Sequence, residues 1–345
     1  MYSVKSPRRL ALPGAVLFAS AALLPMGPAH AETGFGGSRG EADTSSGSSG
    51  RDITSQVTFN TSRNGTGEST GALTAVGDYD PPACWYEPKW TPEEYEKDFE
   101  QRWNVGHFSG AAQGYAAEKS RYIEGKPYKD FNKEKSGEGM FWGTVYDWER
   151  LEGDDYLACS QADFWVDNGD DPPVEGALDS ETLAMLAYNR LQVPDTEVTL
   201  APAEATKVNL PTWAWLDKAD FHEVSVTASL NVGGWNLSAT TTAKPVSLKL
   251  EPGTADATMF PASGECTISA EGTVGEPYAK GKSDETPPCG VTYLRSSGEG
   301  TYDLKATVTW EIAWESSTGE TGTLPDGTFG NDQAVTVQEI QAVNR

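Results

Sequence analysis

Residues 301–317 read TYDLKATVTWEIAWESS, and no other stretch of the chain constrains the fold as tightly. Tyr302, Leu304, Ala306, Val308, Trp310, Ile312 and Trp314 fall on every second position, and Asp303, Lys305, Thr307, Thr309, Glu311 and Glu315 fill most of the gaps. A period of two belongs to a pleated strand with one apolar face and one wet face. Seven alternating apolar positions need a covering layer, so this face is expected to be the wall of a core. Burying such side chains contributes roughly 1.5–3 kcal/mol each before entropy is counted.

The same period continues through the C-terminal half. Val224, Val226, Ala228, Leu230 and Val232 alternate, Asn231 to Gly234 supplies a turn, and Trp235, Leu237 and Ala239 alternate again. Val246, Leu248 and Leu250 follow, with Val335 and Val337 near the end. Short strands with Gly- and Pro-rich turns and no helical period predict an antiparallel immunoglobulin-like β-sandwich over 205–345.

Upstream, 79–204 reads as a small mixed helical and aromatic region. Thr91 as N-cap, Pro92 at the first helical position and Glu93 and Glu94 in the first turn start a helix, whose buried face is Tyr95, Phe99 and Trp103. DSETLAMLAYNRLQVP predicts a second helix, capped by Asp179 and stopped before Pro194. MFWGTVYDW is a candidate strand, and aromatic-rich turns fill the rest. The expected fold class is therefore α+β, a disulfide-tied mixed region followed by the sandwich.

Residues 32–78 hold 26 Gly, Ser or Thr among 47. Such a segment buries too little surface to offset its ordering entropy, and it reads as a flexible leader with one candidate strand, ITSQVTF at 53–59. Residues 1–31 read as a secretory signal. Lys5, Arg8 and Arg9 form the basic region, Leu10 to Leu24 the apolar run, and Ala29-His30-Ala31 the cleavage site. The mature chain is expected to be extracellular, without a transmembrane segment. Leu324-Pro325-Asp326-Gly327-Thr328 only loosely echoes a cell-wall sorting signal, since the order is wrong and no apolar tail follows.

Four cysteines, Cys84, Cys159, Cys266 and Cys289, in an exported chain without C-x-x-C spacing favour two disulfides over a metal site. Of three connectivities, Cys84–Cys159 with Cys266–Cys289 keeps each pair within one compositional segment. Loop entropy assigns those bonds roughly 4.5 and 3.4 kcal/mol, as upper values. Cleaving 1–31 removes Lys5, Arg8 and Arg9 and no acid, which takes the formal charge from −25 to −28. That field argues against nucleic acid as a partner and admits cationic partners or calcium.

Several strings in the second half resemble a known family. They are Leu191-Gln192-Val193-Pro194, Val208-Asn209-Leu210-Pro211-Thr212-Trp213-Ala214-Trp215-Leu216, the Cys266 and Cys289 pair, Gly300-Thr301-Tyr302 leading into Val308-Thr309-Trp310, and the closing Ile340-Gln341-Ala342-Val343-Asn344. Residues 183–345 are similar to secreted actinobacterial proteins of uncharacterised function with a C-terminal PKD-like (immunoglobulin-like) domain. Where that domain has W-x-x-G-D-G this chain has Leu250-Glu251-Pro252-Gly253-Thr254-Ala255, and for H-T-Y it has Val291-Thr292-Tyr293. The resemblance implies a fold and a location, and no activity.

Candidate sites are sparse. Gly36-Gly37-Ser38-Arg39-Gly40 matches the G-x-S-x-G pattern but lacks its strand-to-helix context. The mature chain has two histidines, His107 and His222, in different segments, which leaves little room for a catalytic triad or a zinc site. Asp167-Asn168-Gly169-Asp170-Asp171 and Glu152-Gly153-Asp154-Asp155 are acidic turns without the spacing that wraps ligands around calcium. Trp85, Tyr86 and Trp90, crowded near Cys84, are the candidate binding platform, since exposed aromatic rings stack on sugars or peptides. Trp213 and Trp215, on one side of a strand, read as core or inter-domain packing. The leading expectation is a non-catalytic binding or envelope-associated protein, with a protein or glycan of the envelope as partner. The alternatives are a polysaccharide- or cell-wall-acting hydrolase using two carboxylates and a purely structural envelope component.

Overall fold

The computed structural model describes residues 55–340, apart from 66–69, 78, 105–110, 204, 217–220 and 284. The signal sequence, the leader up to residue 54, the Gly36–Gly40 motif and His107 lie outside the described residues. The first strands are β1 (Val57–Arg63), β2 (Thr70–Ala72), β3 (Thr74–Ala75), β4 (Cys84–Trp90), β5 (Gly139–Tyr146) and β6 (Phe164–Asp167). Next come β7 (Gln192–Pro194), β8 (Thr199–Ala201), β9 (Thr206–Lys207), β10 (Pro211–Leu216), β11 (Val224–Val232) and β12 (Trp235–Glu251). The remainder are β13 (Ala257–Phe260), β14 (Glu265–Thr267), β15 (Val274–Gly275), β16 (Gly290–Tyr293), β17 (Tyr302–Ser316), β18 (Thr321–Val335) and β19 (Val337–Gln338). Three α-helices, α1 (Pro92–Asn104), α2 (Ala111–Tyr122) and α3 (Ser180–Tyr188), interrupt them.

The largest sheet runs β1-β11-β12-β17-β18-β3 and is antiparallel, with β14 also on β12. Its alternation is the one legible in the sequence: Leu304, Ala306, Val308, Trp310, Ile312 and Trp314 of β17 are buried, while Asp303, Lys305 and Glu311 are exposed. β11 and β12 meet at Gly233-Gly234, both at positive φ, as a two-residue primed hairpin turn demands. Trp235–Ala239 and Val246–Leu250 prove to be one 17-residue strand. A bulge between Pro245 and Ser247 moves the buried set from odd positions (Ala239, Thr241, Ala243) to even ones (Leu248, Leu250).

Two layers cover this sheet. At one end lies α3, where Thr241 Oγ1 donates to the Ala184 carbonyl at 2.8 Å. Asp179 caps that helix by accepting from the Thr182 N–H at 2.7 Å. At the other end, Ala214, Leu216, Val291 and Tyr293 from the sheet β13-β16-β10-β15 share a core with Leu248, Leu250 and Leu304. Cys266 on β14 is bonded to Cys289, which precedes β16, so this disulfide joins the two sheets. The other bond, Cys84–Cys159, ties the start of β4 to the β5–β6 connection. The fold is thus mostly antiparallel β with few helices and two disulfides.

Two expectations need correction. Part of the expected leader is structure: β1 pairs with β11, β2 with β7 and β3 with β18. Composition misled because an edge strand draws on backbone hydrogen bonds and here needs only Val57 as a buried apolar anchor. The expected division at 204/205 also runs through packed interior. α3 and β8 belong to the first segment yet pack on β11–β12 and pair with β10. The sheet β4-β5-β6 touches the β11–β12 hairpin, with Trp142 edge-on to Trp235 at 5.0 Å between ring centres. Contacts gather the described residues into one compact unit.

Candidate functional site

The expected aromatic platform is not at the surface. Trp85 and Tyr86 are buried, and Tyr86 OH accepts from the Gln161 N–H at 2.8 Å. Trp90 is half-buried, edge-on to Tyr95 at 5.2 Å, with the Lys89 ammonium 5.6 Å from its ring centre. Trp85 and Tyr86 cannot stack on a ligand because both faces of β4 are covered there, and Trp90 keeps only part of its ring at the surface. Even its charges are inside. Glu87 is fully buried and accepts from Trp85 Nε1 (2.8 Å), Ser55 Oγ (3.0 Å) and the Gln56 N–H (2.6 Å). Burial pushes its carboxyl above the usual range against those bonds. Lys89 donates to the Thr144 carbonyl at 2.7 Å, and burial lowers its ammonium to about 8 against the pull of Glu87, Asp163 and Asp98.

A second, smaller core made of Tyr95, Phe99, Tyr122, Phe131 and Phe141 holds α1 and α2 against β5. The Thr91–Glu94 capping box starts α1: Thr91 N–H donates to Glu94 Oε2 at 2.9 Å and Glu94 N–H to Thr91 Oγ1 at 3.3 Å. Helix α2 has no counterpart in the sequence reading. Its only fully buried side chain among the described residues is Tyr122, so no apolar stripe announces it.

Beside this core a cavity of about 300 Å³ is lined by Ala117, Glu118, Arg121, Tyr122, Ala162 and Asp163. Tyr95 OH donates to Asp163 Oδ2 at 2.8 Å, and Tyr122 OH donates to the Asp163 carbonyl at 2.9 Å. Burial raises the Asp163 carboxyl, opposed by the Tyr95 hydrogen bond and by Arg102 and Lys89. Arg102 lies 2.7 Å from Asp98, 3.4 Å from Glu118 and 4.0 Å from Asp163. One guanidinium is therefore shared by three carboxylates. Another cavity, about 380 Å³, follows β18 near Thr196 and Asn331. There Thr196 Oγ1 donates to the Ala306 carbonyl at 3.1 Å and Asn331 donates to Asp195.

The exposed aromatic residues lie elsewhere. Residues 147–161 leave β5 as a loop whose turns are closed by Leu151 N–H to Asp147 O (2.9 Å) and Leu157 N–H to Asp154 O (2.9 Å). Cys159 anchors it to β4 by disulfide, and Thr144 Oγ1 donates to the Cys159 carbonyl at 3.2 Å. On this fastened loop Trp148 is 69% exposed, Leu157 54% and Tyr156 48%. Tyr146 lies against Trp148 at 5.3 Å between ring centres. From 147 to 171 there are nine acids and one base, so the indole rises from an acidic stretch. The signal that would have found Trp148 is its setting, Asp-Trp-Glu-Arg after a strand, where polar neighbours on both sides leave no buried face to join.

His222 is exposed. Asp167 of the acidic turn accepts from Trp165 Nε1 at 2.8 Å and Lys135 Nζ at 3.1 Å, which hold its carboxyl below the usual range. Among the described residues no group of three or more His, Cys, Asp or Glu is arranged to hold a metal ion. Among them, too, no helix is long and apolar enough to cross a membrane. Comparison with protein-family models, curated proteins and solved structures finds no match.

Proposed function

We propose that this is an exported, non-catalytic binding protein of the cell envelope, whose glycan or protein ligand is gripped by the 147–161 loop. The observation that carries the reading is Trp148, the most exposed tryptophan, on a loop fastened by a disulfide and by its own turns. A large ring already fixed in place contributes contact area at low entropy cost, and surrounding carboxylates accept hydrogen bonds from hydroxyl or amino groups. The two disulfides support an extracellular location. In this reading the two sheets joined by Cys266–Cys289 are a PKD-like scaffold of immunoglobulin type, as in the secreted actinobacterial proteins that 183–345 resembles. The hydrolase reading has less support, because the best-placed carboxylates, Asp163 and Glu118, both turn toward Arg102.

The test is retention of purified protein on cell envelopes and on insoluble polysaccharides. Trp148→Ala should reduce retention at least about tenfold, as losing a central aromatic anchor does. A Trp148→Ala protein retained as well as the parent would end the proposal. Release of reducing sugar, abolished by Asp163→Asn, would put the hydrolase in its place.

A further inference from the structure

Trp213 belongs to neither hydrophobic core. Along β10, Ala214 and Leu216 face the main core, so Trp213 and Trp215 stand on the opposite face of their sheet. That face would normally meet water, yet Trp213 is only 2% exposed. Its cover is the connection between β15 and β16, where Tyr278 lies edge-on at 5.9 Å between ring centres. The Lys282 ammonium sits 5.2 Å from the centre of the Trp213 ring. Lys282 also donates to Glu276, whose hydrogen bond holds the ammonium above its usual range, with Glu285 adding a weaker attraction.

This cover is not built like a core. Residues 276–281 are exposed, and two turns close within this segment, Lys282 N–H to Ala279 O and Glu285 N–H to Lys282 O. Gly275 and Gly281 at its bends have positive φ (72° and 104°). What meets the indole is a cation, held by a ring face and a carboxylate. Those two groups are what an aromatic site for an organic ammonium requires.

We propose that Trp213, Tyr278 and Glu276 form a binding site for a primary alkylammonium group, which Lys282 occupies as a tethered stand-in until a free amine displaces it. The chemistry selects the class. The π face attracts cations, Glu276 repels anions, and the strongly acidic protein concentrates cations at its surface. A tethered lysine competes at an effective concentration of about millimolar, so a weak amine binds poorly until Lys282 is removed or pulled away. The site is separate from Trp148 and stands whether or not that loop binds an envelope ligand.

The experiment uses the full mature chain labelled with ¹⁵N-tryptophan and titrated with Nα-acetyl-lysine methylamide. The Trp213 indole N–H signal is assigned by its loss in Trp213→Phe. Lys282→Gln should bind the amine at least about twofold more tightly than the parent, seen as a saturable shift of that signal. The same probe acetylated on its side-chain amine should leave the signal in place. A Lys282→Gln protein whose other ten indole signals keep their positions, but whose Trp213 signal ignores the amine, overturns the proposal. Equal shifts from the amine and its acetylated form overturn it as well.

Discussion

β17 and β4 are both strands rich in aromatic residues, and they obey opposite rules. In β17 the polar and apolar positions alternate, and burial follows residue by residue. In β4, CWYEPKW, six of seven residues are buried, including a glutamate and a lysine. The difference lies in what covers each strand. β17 offers one face to a core and the other to water, so side-chain chemistry alone states which is which. β4 has protein on both sides, and its charges survive there because each has a dedicated partner: Trp85, Ser55 and Gln56 for Glu87, the Thr144 carbonyl for Lys89. An aromatic cluster on a one-faced strand and one on a two-faced strand look equally available in sequence. In β17 the rings Trp310 and Trp314 are buried on the core face alone, whereas in β4 Trp85 and Tyr86 are buried along with the charges beside them.

Substitutions on the two strands should differ in effect. The largest effect is expected at Trp310, which is fully buried. Trp310→Ala should lose about 3–5 kcal/mol of stability, whereas Lys305→Ala and Glu311→Ala on the same strand should each stay within about 0.5 kcal/mol. Chemical denaturation measures all three, and a comparable loss from the polar face would show that β17 is covered on both sides. For β4, Glu87→Ala should cost ~1–3 kcal/mol, because the Trp85 indole, the Ser55 hydroxyl and the Gln56 amide lose their common acceptor. Hydrogen exchange should rise first at Gln56 and Val57, and unchanged exchange there would mean that Glu87 does not anchor β1.

The smallest effect is a pH dependence. Lys89 has its ammonium lowered to about 8 in the fold, so between that value and its ordinary 10.5 the unfolded chain binds more protons than the folded one. Stability should therefore rise with pH from about 8, by on the order of 1 kcal/mol, before the buried tyrosines Tyr122, Tyr188 and Tyr293, raised to about 12, oppose it above about 10. Lys89→Met should flatten the slope between pH 8 and 9.5. A parent protein already flat over that interval would place Lys89 in water.

Much of the scaffold was legible because its causes are local. The Thr91–Glu94 and Asp179 caps, the Gly233-Gly234 turn and the β17 alternation each depend on residues close in the chain. The favoured cysteine pairing matches the two disulfides. The union of Trp235–Ala239 with Val246–Leu250 was not legible, because their parities conflict until the bulge after Pro245 reconciles them. The candidate sites were harder still. Trp85 follows one cysteine of a disulfide and Trp148 lies on the loop that the other cysteine anchors, yet one is sealed between layers and the other stands in solvent.

Local patterns in the chain are enough to show that β11, β12 and β17 pleat, where two helices begin and where the β11–β12 hairpin turns, since those depend on backbone geometry within a few residues. Long-range packing sets which aromatic rings meet water, that Val57–Arg63 pairs with β11, and that Lys282 lies over Trp213. Coverage separates the two. Whether a face is buried depends on what distant parts of the chain bring to it, and no local pattern encodes that.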